Sequence, residues 1–290
     1  MGLPTSRGAI IYAGTGGGSG AQERISSYKT GRVAGALVTF GLVARPHTMW
    51  YLDGRRGGAG AVAGTTVAIP TRATTGAIGQ SNPGGSRQKW LLNYTIWEAD
   101  AVRGVWGLYD RLAHVSGLSG IVTSAQTFTG GNLVIDRWNA SAAEYQGNRI
   151  YAEITGLIGA TPTTATVSYD NENGVTHTSQ AVTFGGTSFR EVYRCIEFPL
   201  ASGDRGVSLV RSCTVLASTG TAGNFSIVIA RPLFDDAARG VNVAGVQRSM
   251  VFSPGAVEIK SNACLYWQNL SPITTAIPIH WHAMLGTVEL

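Results

Sequence analysis

Five places in the chain bring together residue types that can do chemistry, and each meets or fails the spacing its chemistry demands. Gly14-Thr-Gly-Gly-Gly-Ser-Gly20 follows the apolar Ile10-Ile-Tyr12, an arrangement that invites a phosphate-cradling loop. Such a loop needs a lysine after its last glycine to reach the phosphates, and Ala21 stands there. A dinucleotide loop needs a following helix in a βαβ unit, which the next residues do not supply, so the stretch reads as a flexible linker. His280-Trp-His282 puts two imidazoles on one face of a strand, because alternate residues point the same way. Cys264 or His47 could join them, but no third ligand sits at a diagnostic spacing, so strand packing is the reading and no metal is expected. A nucleophile elbow needs Gly-x-Ser-x-Gly, and Gly117-Leu-Ser-Gly120 misplaces its second glycine. His114 and Asp110 could sit together as base and orienter, yet no serine or cysteine is marked as their nucleophile. Paired carboxylates for sugar hydrolysis must flank a cleft, and the adjacent Asp235-Asp236 would face opposite ways in a strand. The reading is of a protein without catalytic residues, metal or cofactor.

The elements that would position such residues are strands. Charged residues are 13% of the 290, about half of the usual roughly 25% in soluble domains, while hydrophobic residues make up 44%. Glycine fills 39 positions. Disorder needs high charge and few aromatics, so this composition points instead to a β-protein whose surface is largely covered by something else. The net charge of +5 is unevenly spread. Residues 1–89 hold ten Lys and Arg against two acids, a balance of +8; the remainder holds twelve against fifteen, a balance of −3. The bases are scattered among Gly and Ala with no dense run and no aromatic interleaving, which argues against nucleic acid as a partner. Cys195, Cys213 and Cys264 are widely spaced and odd in number, fitting buried free thiols in a reducing compartment. Met1 to Ala13 lacks the pattern of a secretory leader. The longest apolar stretch, Ala34 to Ala44, is too short to span a bilayer, so no membrane is expected.

Residues 1–88 show little periodicity and many small residues, with strand-like pieces at Ala9–Tyr12, Leu37–Val43 and Thr48–Leu52. They read as an extended, basic, Gly/Ala-rich arm with one or two paired strands. From Lys89 the character changes. Trp90–Trp97 is apolar and aromatic, and alternating or β-branched runs follow at intervals of roughly ten to twenty residues, the signature of a sandwich or barrel. Thr164–Tyr169 alternates strictly, and Asn173-Gly174 marks a tight turn back along Val175–Ser179. The best short helix lies at Ala140–Gln146. The expected fold is all-β: a jelly-roll-like sandwich or barrel at residues 89–290 carrying the arm of residues 1–88.

Gly107-Leu-Tyr-Asp-Arg-Leu-Ala-His-Val-Ser-Gly-Leu-Ser-Gly120, the Thr-rich Thr123–Thr127, the Thr161-Pro-Thr-Thr164 hairpin region and Arg231-Pro-Leu233 resemble a family of tailed-bacteriophage virion structural proteins. The resemblance spans roughly residues 100–250. It implies a structural role in the particle and carries over no catalytic residue. Within it, a capsid decoration or cement protein on the shell, made in the bacterial host cytoplasm, is the leading expectation. A neck, collar or tail-associated protein is the second, and a carbohydrate-binding head fibre or receptor-binding module is the third. For the last, Trp90, Trp97, Trp106, Trp138, Trp267 and Trp281 would have to stack on sugars from solvent. The expected partners are a major capsid protein and further copies of the chain, as a trimer or dimer. Arg24, Lys29, Arg32, Arg45, Arg55 and Arg56 are the candidate contacts to an acidic capsid exterior.

Overall fold

Short β-branched and aromatic runs broken by Gly, Asn and Pro can satisfy their backbone groups only by pairing with one another. The computed structural model describes residues 22–29, 45–52, 54–55, 58–83, 88–98, 105–237, 246–249, 257–271 and 279–288. The strand-like pieces at Ala9–Tyr12 and Leu37–Val43 and the loop at Gly14–Gly20 lie outside these. In chain order the elements are β1 (Gln22–Lys29), β2 (Arg45–Thr48), β3 (Gly54–Arg55), β4 (Gln88–Glu98), β5 (Val105–Leu118), β6 (Gln126–Thr127) and β7 (Leu133–Val134). The helical turn α1 (Ala142–Tyr145) follows, then β8 (Arg149–Gly156), β9 (Thr163–Asn171), β10 (Thr176–Thr178), β11 (Val182–Phe184) and β12 (Cys195–Phe198). The rest are β13 (Val207–Val215), β14 (Asn224–Ala237), β15 (Val246–Ser249), β16 (Val257–Ile259), β17 (Leu265–Ser271) and β18 (Ile279–Val288).

They form three six-stranded sheets. One runs β15-β4-β18-β1-β3 with β16 also on β4, and a second runs β10-β9-β13-β6 with β11 on β9 and β7 on β13. The third, β12-β8-β14-β5-β17-β2, packs against both of them and is the central sheet of the fold. The strand pairings are antiparallel and mostly join strands distant in sequence, the crossover pattern of a jelly-roll-like sandwich. The protein is all-β, as its composition and run spacing predict.

The central sheet is sustained by β5 and β14, each 14 residues long and paired with each other along almost their whole length. One face supports two cores in succession. Ala113, Val115, Ile227 and Ile229 pack under the second sheet, against Val167, Val210 and Phe184. Trp106, Leu108, Leu265 and Trp267 pack under the first sheet, against Leu91, Tyr94, Ile96 and Leu285. The opposite face carries a third cluster, in which Trp50, Tyr51 and Ala77 cover Tyr151, Val228, Ala230 and Tyr266. Two bulges sort these faces. The β5–β14 register skips Leu112 and then Leu233. A skipped residue lets two consecutive side chains share a face, so Leu112 and Ala113 both enter the first core. The second bulge follows Pro232, which lacks an N–H and lies past Ala230, the last β14 residue paired to β8.

The segment read as an arm contributes strands and core where it is described. β1 pairs with β18 over eight consecutive residues, from Gln22↔Gly286 to Lys29↔Ile279, and β2 pairs with β17. Met49, Trp50, Tyr51 and Leu52 are buried. Burying a large aromatic is worth on the order of 2–3 kcal/mol, which explains why this aromatic run docks on the central sheet. Lys89, itself buried, reaches Glu23 at 2.8 Å and Gln80 Oε1 at 2.8 Å, tying β1, β4 and the 58–83 segment together.

Local expectations are met at the hairpin and the helix. β9 returns through Gly174, at φ +77, into β10, and the amide of Gly174 donates to Asn171 O. A left-handed glycine at the fourth turn position gives a type I turn closed by a bulge. α1 is capped by Ser141 Oγ, which accepts from Glu144 N, while Glu144 Oε2 accepts from Ala140 N.

At the centre of the third cluster, Arg111 and Glu153 form a two-pronged ion pair, 2.8 Å at each prong, with both side chains fully buried. Glu153→Leu, which strands the guanidinium, is expected to cost about 3–5 kcal/mol in urea denaturation, and Arg111→Met/Glu153→Leu to recover a large part of that loss. A double variant as unstable as the single one would show that the pair itself, rather than the stranded charge, supplies the stability.

Candidate functional site

Consecutive residues of a strand point to opposite faces, so Asp110 and Arg111 of β5 enter different environments. Asp110 lies on the face shared by the first two cores. Arg137 grips its carboxylate with Nε at 2.9 Å and Nη2 at 2.7 Å; Trp138 Nε1 donates at 3.1 Å and the amide of Cys264 at 2.9 Å. Trp138 takes a left-handed backbone, φ +57, to deliver that indole N–H. Its ring is clasped by Arg231 and Lys260, each 4.6 Å from the ring centroid, and Lys260 also reaches Glu144 at 2.9 Å. Asp110 thus joins the loop before α1 and the residue preceding β17 to β5.

Arg111 faces the other way. Besides Glu153 it donates from Nε to His114 Nδ1 at 2.9 Å, and its guanidinium lies 4.6 Å from the Trp50 ring centroid and 5.4 Å from that of Tyr266. Tyr51 Oη donates to Glu153 Oε2 at 2.9 Å. Burial alone would pull the Arg111 pKa down, but the Glu153 carboxylate more than reverses this and holds it above its ordinary value. His114 and Asp110, adjacent enough in sequence to suggest a catalytic pair, are therefore committed to different partners. Burial, reinforced by the Arg111 charge, pushes His114 down to about 3, so it is a neutral acceptor. The thiols of Cys195, Cys213 and Cys264 are free and buried, and burial raises all three, Cys213 to about 12. Thiols held protonated in this way are poor nucleophiles.

On the same outer face as Arg111, further along the central sheet, lies an open pocket of about 220 Å³. Tyr109 and Tyr151 line it with rings perpendicular and centroids 5.9 Å apart. Glu197 from β12 and Asp235 from β14 supply its carboxylates, and Gln268 from β17 contributes an amide. In register, Gly107 stands between Asp235 on one neighbouring strand and Gln268 on the other. A Cβ at Gly107 would come within 2.2 Å of Asp235 Oδ1 and 2.4 Å of Tyr109 Cε2, so glycine is what leaves the space open. The bulge at Leu233 sets Phe234 on the core side and turns Asp235 outward. Burial raises the pKa of Asp235, an effect its hydrogen bond from Tyr109 opposes; burial also raises Glu197, with Arg149 opposing and Asp235 reinforcing.

Asp235 was weighed only with its neighbour Asp236, and its pairing with Glu197 was not legible because 38 positions separate them and only sheet order brings them to one pocket. Of the six proposed capsid-contact residues, Arg24 is exposed on β1. Lys29 and Arg55 are brought close by the pairing of β1 with β3, whereas Arg45 lies on β2 in the central sheet. Arg32 and Arg56 fall outside the described residues. His282 is exposed on β18, and no group of three metal-ligating residues gathers among the described residues. Trp90, Trp106, Trp138 and Trp267 are buried, which withholds them from any stacking on sugars.

No protein-family model and no curated protein matches the chain. Solved structures with some likeness include the Gx strain of infectious bursal disease virus, at 8% identity and a TM-score of 0.23 over 93% of this chain and 81% of that one. The Gt strain gives 9% identity and a TM-score of 0.21 over 99% and 87%. The VP2 subviral particle of the same virus gives 9% and 0.19 over 93% and 81%. Likenesses of this depth carry no argument for either fold or function.

The His114 environment has a measurable consequence. A base whose folded pKa lies below its unfolded value lets the unfolded chain take up a proton first, so its contribution to stability is complete above about pH 6.5 and declines toward pH 3. Stability is expected to fall with a slope of up to about 1.4 kcal/mol per pH unit from this group, and His114→Gln to remove that slope between about pH 6 and pH 5. Equal slopes for the two proteins in pH-resolved denaturation would contradict the assignment.

Proposed function

We propose that the protein is a structural component of a virus particle, and more narrowly a decoration or cement protein on the head shell of a tailed bacteriophage. The observation that carries the reading is a group of exposed apolar residues on or beside loops that are hydrogen-bonded to one another. Ile121, Val122, Leu157 and Leu216 are exposed, Leu216 at 55%. Their loops are hydrogen-bonded into one surface: Gly120 N donates to Ala222 O at 2.7 Å, Thr219 N to Gly120 O at 2.9 Å and Thr161 N to Thr219 O at 3.0 Å. A firm loop cluster that leaves large apolar side chains in water suits a protein that is permanently covered in an assembly.

The resemblance to tailed-phage virion proteins supports the finer reading. Among the residues that carry it, Asp110, Arg111, His114 and Arg231 serve to hold the body together. Function would then lie in the surfaces that the body presents. Arg24, exposed on β1, would be one basic contact for an acidic shell, in keeping with the +8 balance of residues 1–89. Neither an active site nor a bound cofactor enters this reading.

Quantitative mass spectrometry of purified particles tests it. Copies in the hundreds, or in a simple ratio to the major capsid protein, are expected; a dozen or fewer would move the protein to the neck or tail, and absence from particles would overturn the reading altogether. Because Leu157 and Leu216 are exposed, Leu157→Glu/Leu216→Glu is expected to change stability by only about 0.5 kcal/mol per site. Incorporation into particles should nevertheless drop at least about tenfold, the effect of a charge buried in an apolar contact.

A further inference from the structure

We propose that the pocket formed by Tyr109, Tyr151, Glu197, Asp235 and Gln268 receives a single cationic side chain, arginine or lysine, presented by a polypeptide partner. The inference is independent of the virion reading and rests on the composition and size of the pocket. Two carboxylates open into one space whose walls are tyrosine rings. Asp235 makes no ion pair among the described residues, its hydrogen-bond contact being Tyr109 Oη at 3.4 Å. Glu197 faces Arg149 only at 3.7 Å across a half-exposed rim, and Arg149 also donates to Arg205 O at 2.8 Å. A guanidinium or ammonium entering here would donate charge-assisted hydrogen bonds to the carboxylates and meet the face of an aromatic ring. For an anion the two carboxylates would be repulsive, which sets the charge of the guest that this pocket favours.

Size separates a side chain from a free ligand. At about 220 Å³ the space lies below the roughly 300–1,000 Å³ of pockets that enclose whole small molecules. Around it the exposed Pro46 and Val105 provide an apolar rim, of the kind that flanks an anchoring side chain at a protein interface. Gly107 keeps the floor clear, and the bulge at Leu233 delivers Asp235 to it. The cations Arg111 and Arg137 are already matched to Glu153 and Asp110, whereas Asp235 has no ion-pair partner among the described residues and Glu197 has only the 3.7 Å contact with Arg149.

The test uses the full chain and ligand-observed NMR titration with N-acetyl-arginine amide, its neutral isostere N-acetyl-citrulline amide, spermidine and maltose. The arginine amide is expected to bind with a dissociation constant on the order of 1 mM, at least about tenfold tighter than the citrulline amide. Asp235→Asn/Glu197→Gln, both altered at the rim, should abolish arginine binding while leaving the melting temperature and far-UV circular dichroism close to wild type. An Arg-containing pentapeptide should bind at least as well as the amide. Equal binding of citrulline, or unchanged binding by the double variant, would overturn the cationic site. Tighter binding of spermidine than of the pentapeptide would overturn the polypeptide source, and saturable binding of maltose alone would replace the proposal with a sugar site. Should the double variant unfold, Gly107→Ala gives the second arm, since its Cβ fills the space and is likewise expected to abolish binding.

Discussion

A strand covered on both faces can leave no charge unmatched on either, and β5 carries two in succession. Asp110 points toward the shared face of the first two cores and Arg111 toward the third cluster, so the chain must bring an opposite charge to each side of one strand. Arg137 arrives from the loop before α1 and Glu153 from β8, each meeting its partner through two nitrogen–oxygen contacts. A buried ion pair adds little net stability over apolar packing, because desolvation offsets most of the attraction. Its stronger effect is on alternatives: a one-residue slip of β5 would exchange the two faces and strand both charges at once. Register in the central sheet, and with it the placing of both outer sheets, is tied to this dipeptide.

How much of this was legible in the sequence depends on whether the cause was local. The hairpin at Thr164–Ser179 and the helical turn inside Ala140–Gln146 rest on turn and capping chemistry within a few residues, and both are found where the pattern placed them. The aromatic run Trp90–Trp97 lies within β4 for the same reason. The partners of Asp110 and Arg111 were not legible. His114 is close in sequence to both, but the bulge at Leu112 and the strand alternation decide which of them it meets. Trp50 and Tyr51 illustrate the other blind spot. Set among glycines they look like part of an extended arm, and only the open face of the central sheet reveals where that aromatic area goes.

The pocket follows from the same geometry that stabilises the body. Arg231-Pro232-Leu233 serves three ends in three residues: a cation for the Trp138 ring, a residue that can forgo its N–H past the end of β8, and a bulge that sorts the following side chains. Phe234 then stacks on Tyr94 in the core, with centroids 4.2 Å apart, while Asp235 is set over Gly107 on the outside. A motif whose visible role is packing therefore also determines the chemistry of the exposed face.

The pairing of β1 with β18 has a consequence for how the molecule comes into being. Gln22 is matched to Gly286, so the first sheet joins segments separated by more than 250 residues of intervening chain. Closing so long a loop is entropically costly and gains nothing until most of the intervening structure is in place. Since β18 also lies against β4, the edge of β4 that it covers stays unsatisfied until the ribosome has passed residue 288. During synthesis that open edge is a site for strand exchange with another nascent chain, which makes the order of sheet closure, rather than final stability, the step at which this protein can go astray.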